Sequence, residues 1–232
     1  MAVYFIADQH FGIYGETPDK FRKFSQFIEH IKSTDILFIV GDLFDFYFEH
    51  KKHRPKRYPN ILNKLNELKK KGTKIHYIVG NHDFWVGDSF TKELGIKVYK
   101  KPIQLTLQDK NVFIAHGDDI NGNDPIKQLL RNKLAIELFS YLSPGIAQVI
   151  GSLVSRISGK FSGKKMIRWK LLYDLGKGKF SEGTDIVVLA HIHSPKFLDY
   201  NGKKFVILGD WIKHFTYGKL ENGKFKLCSW RE

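Results

Sequence analysis

Along the first hundred residues, short continuous apolar runs alternate with stretches of three- and four-residue apolar spacing. The runs are Val3 to Ala7, Ile36 to Val40 and Ile75 to Val79. Each has strand length and is apolar enough to be buried on both faces. Between them, Phe21, Phe24, Phe27, Ile28 and Ile31 recur at helical intervals, as do Ile61, Leu62, Leu65 and Leu68. The alternation predicts βαβ units around a buried sheet. Every run stops at a polar cluster: Asp8-Gln9-His10, Gly41-Asp42, then Gly80-Asn81-His82-Asp83. Open α/β folds place their sites at such carboxyl ends of strands.

The second half reads differently. Val98, Ile103 to Leu107, Val112 to Ala115, Ile186 to Leu189, Phe197 to Tyr200 and Phe205 to Leu208 have strand character. Asp109-Lys110, Asn201-Gly202 and Asn222-Gly223 supply hairpin turns. The expected architecture is α/β, with two packed mixed sheets flanked by helices. Residues 119–182 interrupt it. They carry Leu129, Leu130, Leu134, Ile136, Leu138, Phe139 and Leu142, a Pro144-Gly145 break, the apolar stretch 146–157, and a basic, glycine-containing run from Arg156 to Met166. The expected division is a core of 1–118 and 183–232 and a helical cap of 119–182. Glu137 and the Pro-Gly break argue against a membrane span there.

Composition narrows the partners. Thirty-eight Lys and Arg against 24 Asp and Glu leave a net charge of +14, which draws polyanions, nucleotides and anionic lipid without choosing among them. The insert is too apolar for a simple nucleic-acid track. Cys228 is the sole cysteine, so no intrachain disulfide and no cysteine-rich zinc site can form. The first residues lack a secretory pattern, and cytoplasmic residence is the expectation.

Five strand-end clusters carry the chemistry. Asp8 and His10, two apart, can face one ion from an extended segment. Asp42 follows a glycine where one carboxylate can touch two cations and offset their repulsion. Asp45 reads as an acceptor behind the ligands or, alternatively, as a helix-capping aspartate. Asn81 offers a neutral ligand oxygen. His82 can donate a proton or hydrogen bond to a phosphoryl or leaving oxygen, with Asp83 expected to hold its ring in the required tautomer. His116 follows the 112–115 strand, and His191 and His193 follow 186–189. Aspartate, asparagine and histidine without thiolate suit Mn²⁺, Fe²⁺ or Zn²⁺, with Mg²⁺ a further candidate.

The order D-x-H, G-D-x-x-D, G-N-H-D, H and H-x-H, spanning residues 8–193, resembles the calcineurin-like metallophosphoesterase family. The resemblance implies a four-layer α/β/β/α sandwich. It implies one cation on Asp8, His10, Asp42 and His193, and a second on Asp42, Asn81, His116 and His191. It also implies in-line attack on phosphorus by water activated between the ions. Ala190 stands where many members have glycine. Within the family the chain is most similar to the bacterial UDP-2,3-diacylglucosamine pyrophosphatases of lipid A synthesis, through residues 44–49, His116-Gly117-Asp118, the insert and Leu208-Gly209-Asp210-Trp211. That implies attack at the α-phosphorus of a nucleotide-linked acylated sugar, giving UMP and 2,3-diacylglucosamine 1-phosphate. Asn81, Asp124, Ser162, Lys164 and Lys165 would meet the substrate. The enzyme would sit peripherally on the anionic cytoplasmic face of the inner membrane. His82 stands where the best-known branch has arginine, so another phosphodiesterase or phosphatase activity is the alternative reading, and a non-enzymatic metal-binding scaffold a third. Oligomeric state leaves no mark on the sequence.

Overall fold

A computed structural model describes residues 1–12, 17–49, 58–118, 137, 141 and 165–230. Two sheets form the molecule. The first comprises β1 (Val3–Ile6), β2 (Ile36–Val40), β3 (Lys74–Ile78), β4 (Lys97–Tyr99), β10 (Thr216–Glu221) and β11 (Lys224–Ser229), in the order β11-β10-β1-β2-β3-β4. The second comprises β5 (Ile103–Leu107), β6 (Lys110–Ile114), β7 (Ile186–Leu189), β8 (Lys196–Tyr200) and β9 (Lys203–Ile207), in the order β5-β6-β7-β9-β8. β1 to β4 run parallel, as do β6, β7 and β9; antiparallel strands complete both sheets.

The continuous apolar runs follow from burial on two sides. Val3, Phe5 and Ala7 face inward with Phe38, Val40 and Ile78, packing on Val112, Ile114, Val188 and Val206 of the second sheet. Tyr4, Ile6, Leu37, Ile39 and Tyr77 face outward and meet α1 (Pro18–His30) and α2 (Pro59–Lys70) through Phe24, Phe27, Ile28, Ile61, Leu65 and Leu68. Thr17 caps α1 by accepting from Lys20 N–H at 3.2 Å, with proline in the first turn. On the far side α3 (Lys165–Ser181) places Leu172, Leu175 and Phe180 against Phe113, Val187, Leu189, Phe205 and Ile207. The layers are therefore α/β/β/α.

Two features complete these layers. α3 falls within the stretch assigned to the cap, yet it covers the outer face of the second sheet, whose apolar side chains require that cover. Among the described residues it packs on the core from Trp169 onward. The carboxyl-terminal hairpin β10–β11 also returns to the first sheet, where β10 pairs with β1 through Val3↔Leu220 and Phe5↔Gly218. The remainder of the expected cap, Glu137, Tyr141 and Glu182 apart, lies outside the described residues.

Candidate metal centre

The loops after β1, β2, β3, β6 and β7 converge where the parallel strands of both sheets end. Backbone bonds tie them together: Asp8 N–H to Gly41 O (3.1 Å), His10 N–H to Asp42 O (2.9 Å) and Ala190 N–H to His116 O (3.0 Å). Side chains cross-link them further, with His82 N–H donating to Asp42 Oδ1 (3.0 Å) and His191 N–H to Asp8 Oδ2 (3.0 Å). Asp8, His10, Asp42, His191 and His193 all lie in the left-handed region, with φ between 48° and 71°. Aspartate and histidine tolerate that region better than bulkier residues, and such backbone clusters at functional sites. Gly41 (φ +81°) and Gly80 give the centre its room: a Cβ on Gly41 would lie 2.5 Å from His116 Nδ1, and one on Gly80 would overlap the Asp42 carboxylate.

Three trios place their ligand atoms within 4.8 Å of one another: Asp8–His10–His193, His10–Asp42–His82 and Asp42–His116–His191. His193 Nε2 is 3.3 Å from Asp8 Oδ1 and 3.2 Å from His10 Nε2. On the other side, His116 Nε2 is 3.1 Å from Asp42 Oδ2. Asp42 thus stands between the first trio and the last, as a shared carboxylate must. Asp8 Oδ1, Asn81 Oδ1 and His116 Nε2 are buried without hydrogen-bond partners. Atoms of this kind are costly unless something coordinates them. His116 Nδ1–H donates to the Val40 carbonyl oxygen at 2.9 Å, and since a carbonyl only accepts, it is Nε2, facing Asp42, that offers a lone pair to a cation when the ring is neutral. Oxygen and imidazole donors, orphaned and converging, fit two divalent cations.

Electrostatics agree with that fit. Burial would raise the Asp42 carboxyl, but the nearby His116, His82 and His10 rings hold it well below the ordinary range. Asp8 is lowered in the same way, against burial, by His10 and His193. His10, despite burial, is pushed up to about 10 by Asp45, Asp8 and Asp42. The anionic cradle takes its positive charge from imidazolium here, and a bound cation would supply that charge instead.

Several side chains stand behind the ligands. Asp45 Oδ1 is 3.4 Å from His10 Nδ1. Asp83 does not serve His82 as expected. Its fully buried carboxylate accepts from Gly80 N–H (2.8 Å), Leu43 N–H (2.8 Å) and the Tyr77 hydroxyl, which ties the turn after β3 to the turn after β2. His82 Nδ1 instead meets the Asp45 carbonyl oxygen at 2.8 Å. Sequence reasoning gave Asp210 no role, yet it lies buried with Oδ2 4.0 Å from His193 Nδ1 and 3.0 Å from His214 Nδ1. Its Oδ1 accepts the backbone N–H groups of Ile212, Lys213 and His214. The signal was present: Gly209-Asp210 after an apolar run repeats the form of Gly41-Asp42. Asp124, Ser162 and Lys164 lie outside the described residues, as does the Lys165 side chain.

Two candidate ion subsites sharing a carboxylate, on loops joining two sheets, suit metal-dependent hydrolysis. The sequence model of the calcineurin-like phosphoesterase family matches residues 1–195, and the chain belongs to that family. It is 30% identical over 245 residues to a UDP-2,3-diacylglucosamine hydrolase of Porphyromonas gingivalis, covering 93% of this chain and 92% of that one. It is 28% identical over 240 residues to the protein of that name from Hahella chejuensis, covering 99% and 97%. Among solved structures, an archaeal phosphodiesterase shares the fold at 14% identity and a TM-score of 0.51, covering 98% of this chain and 99% of that one.

Proposed function

We propose that this chain hydrolyses UDP-2,3-diacylglucosamine at the α-phosphorus, releasing UMP and 2,3-diacylglucosamine 1-phosphate. The supporting observation is end-to-end similarity to relatives bearing that name, 93% of this chain against 92% of the Porphyromonas gingivalis protein. Asp8, His10, Asp42 and His193 would hold one cation, and Asp42, Asn81, His116 and His191 the other. Mn²⁺ is the preferred ion for this donor set, with Fe²⁺, Zn²⁺ and Mg²⁺ as alternatives. Such ions supply charge to phosphoryl oxygens and acidify water.

The chain's own residues do the positioning. Asp42 fixes the spacing of the two subsites, and Asp45 holds the His10 ring by Nδ1. His82 commits Nδ1–H to the Asp45 carbonyl, so its Nε2 carries a proton only when the ring is imidazolium. In that form it donates to a phosphoryl or departing oxygen. Asp124, Ser162, Lys164 and Lys165 are the proposed contacts to sugar and phosphate. The apolar insert would hold the acyl chains, each buried CH₂ contributing about 0.8 kcal/mol. A lipid substrate places the enzyme peripherally on the cytoplasmic face of the inner membrane.

The test is UMP release by the Mn²⁺-loaded chain from UDP-2,3-diacylglucosamine, compared with UDP-N-acetylglucosamine and an aryl phosphodiester. The acylated substrate should be strongly preferred. Equal cleavage of the non-acylated sugar nucleotide would remove the lipid assignment and leave the phosphoesterase standing. No turnover of any of the three would remove the enzyme.

A further inference from the structure

Lys20 lies in the first turn of α1 and is 3% exposed. Both facts are unfavourable for an ammonium. The positive end of the helix repels it, and burial strips its water. Its Nζ donates to the His10 carbonyl oxygen at 2.8 Å and stands 4.9 Å from the centre of the Phe11 ring. These two contacts are on the loop that presents His10 to the metal centre.

That loop needs holding. Asp8 and His10 are both left-handed, at φ 55° and 48°. The neighbouring backbone groups are already engaged: His10 N–H with Asp42 O, Phe11 N–H with Leu43 O, and the Phe11 carbonyl with Asp45 N–H. The His10 carbonyl takes its bond from Lys20.

We propose that Lys20 is a positioning residue for one metal subsite. Its ammonium clamps the His10 carbonyl, keeps the left-handed turn closed, and so aims His10 Nε2 at Asp8 and His193. The inference rests on the two-ion reading above and requires no change in the protonation of Lys20. The other subsite is anchored separately, through the bond from His116 Nδ1–H to the Val40 carbonyl. Loss of the clamp therefore weakens one ion and spares the second.

Calorimetric titration of Mn²⁺ into metal-free wild-type, K20M and K20R chains, with bound metal counted per chain, tests the clamp. The wild type should take up two ions. K20M should keep one at wild-type affinity and bind the other about 10- to 100-fold more weakly, the usual cost of losing a group that orients a ligand. K20R retains a cationic donor and should fall closer to wild type. The clamp is overturned if K20M binds both ions normally, if both ions weaken together, or if K20R is as impaired as K20M. A K20M chain that fails to fold also overturns it, since the lysine would then serve the fold. A wild type that binds fewer than two ions removes the two-ion reading itself, and the clamp with it.

Discussion

Asp42 and Asp83 are both fully buried carboxylates within a few residues of glycine turns, yet the structure gives them opposite duties. Asp42 aims Oδ2 into the centre, 3.1 Å from His116 Nε2 and 3.8 Å from His10 Nε2. Asp83 spends both oxygens on three donors from the surrounding turns. Removing each should therefore fail differently. D42A should fold, lose both ions by metal analysis and lose turnover; near-normal metal-dependent activity would end its shared role. D83A leaves three buried donors without an acceptor, at about 1–3 kcal/mol each. Its urea midpoint should drop by several kcal/mol equivalent in metal-free protein, where a purely catalytic residue would leave stability unchanged. The Asp83 assignment failed in the sequence because adjacency to His82 suggested a pair. Which way a side chain leaves a turn is decided by the donors that await it, here on β3 and in the turns after β2 and β3. The residues that converge on the centre were legible for the opposite reason: five clusters fell at strand ends, and the strands themselves were readable.

At the scale of elements, legibility followed burial. β1 and β2 are covered on both faces, so their sequences are uniformly apolar and unambiguous, and in β3 only Lys74 and His76 depart from that. β10 and β11 have one covered face, and lysines interleave with Leu220 and Phe225. The pairing of β10 with β1 joins residues over two hundred positions apart, which local pattern cannot report. α3 does not stand out from the insert in the sequence because Gly176, Gly178 and a series of lysines interrupt its apolar spacing. One strand residue carries a consequence for pH. His76 on β3 stacks on Phe38 at 4.6 Å and bonds Tyr99 OH at 3.0 Å. Burial first, then Lys97, Lys74 and Lys69, depress its ring to about 4. The unfolded chain takes up this proton near pH 6.5, the ordinary histidine value, while the folded chain refuses it until about 4. The stability associated with neutral His76 is thus present above about 6.5 and is lost as pH falls toward 4. H76F keeps the stack and removes the titration, so denaturation midpoints across this window should fall less steeply than in wild type. Equal slopes would mean that His76 is not the group responsible.

The whole molecule carries +14 net charge on a fold with no helix, among the described residues, long and apolar enough to cross a membrane. The lipid-linked substrate proposed above would be met at a membrane surface, and two forces would hold the chain there. Charge attracts it to anionic headgroups at about 1 kcal/mol for each Lys or Arg near the surface, an effect that vanishes over a Debye length. Apolar insertion is indifferent to salt. The screening length falls from about 10 Å at 0.1 M salt to about 3 Å at 1 M, which separates the two. If charge is the main tether, the chain should co-sediment with phosphatidylglycerol-containing vesicles at about 0.1 M salt and come off near 1 M, while ignoring neutral phosphatidylcholine throughout. Binding that survives high salt would shift the tether to the apolar insert. Absence of binding at either salt would detach the charge from the membrane and leave +14 to the nucleotide diphosphate alone.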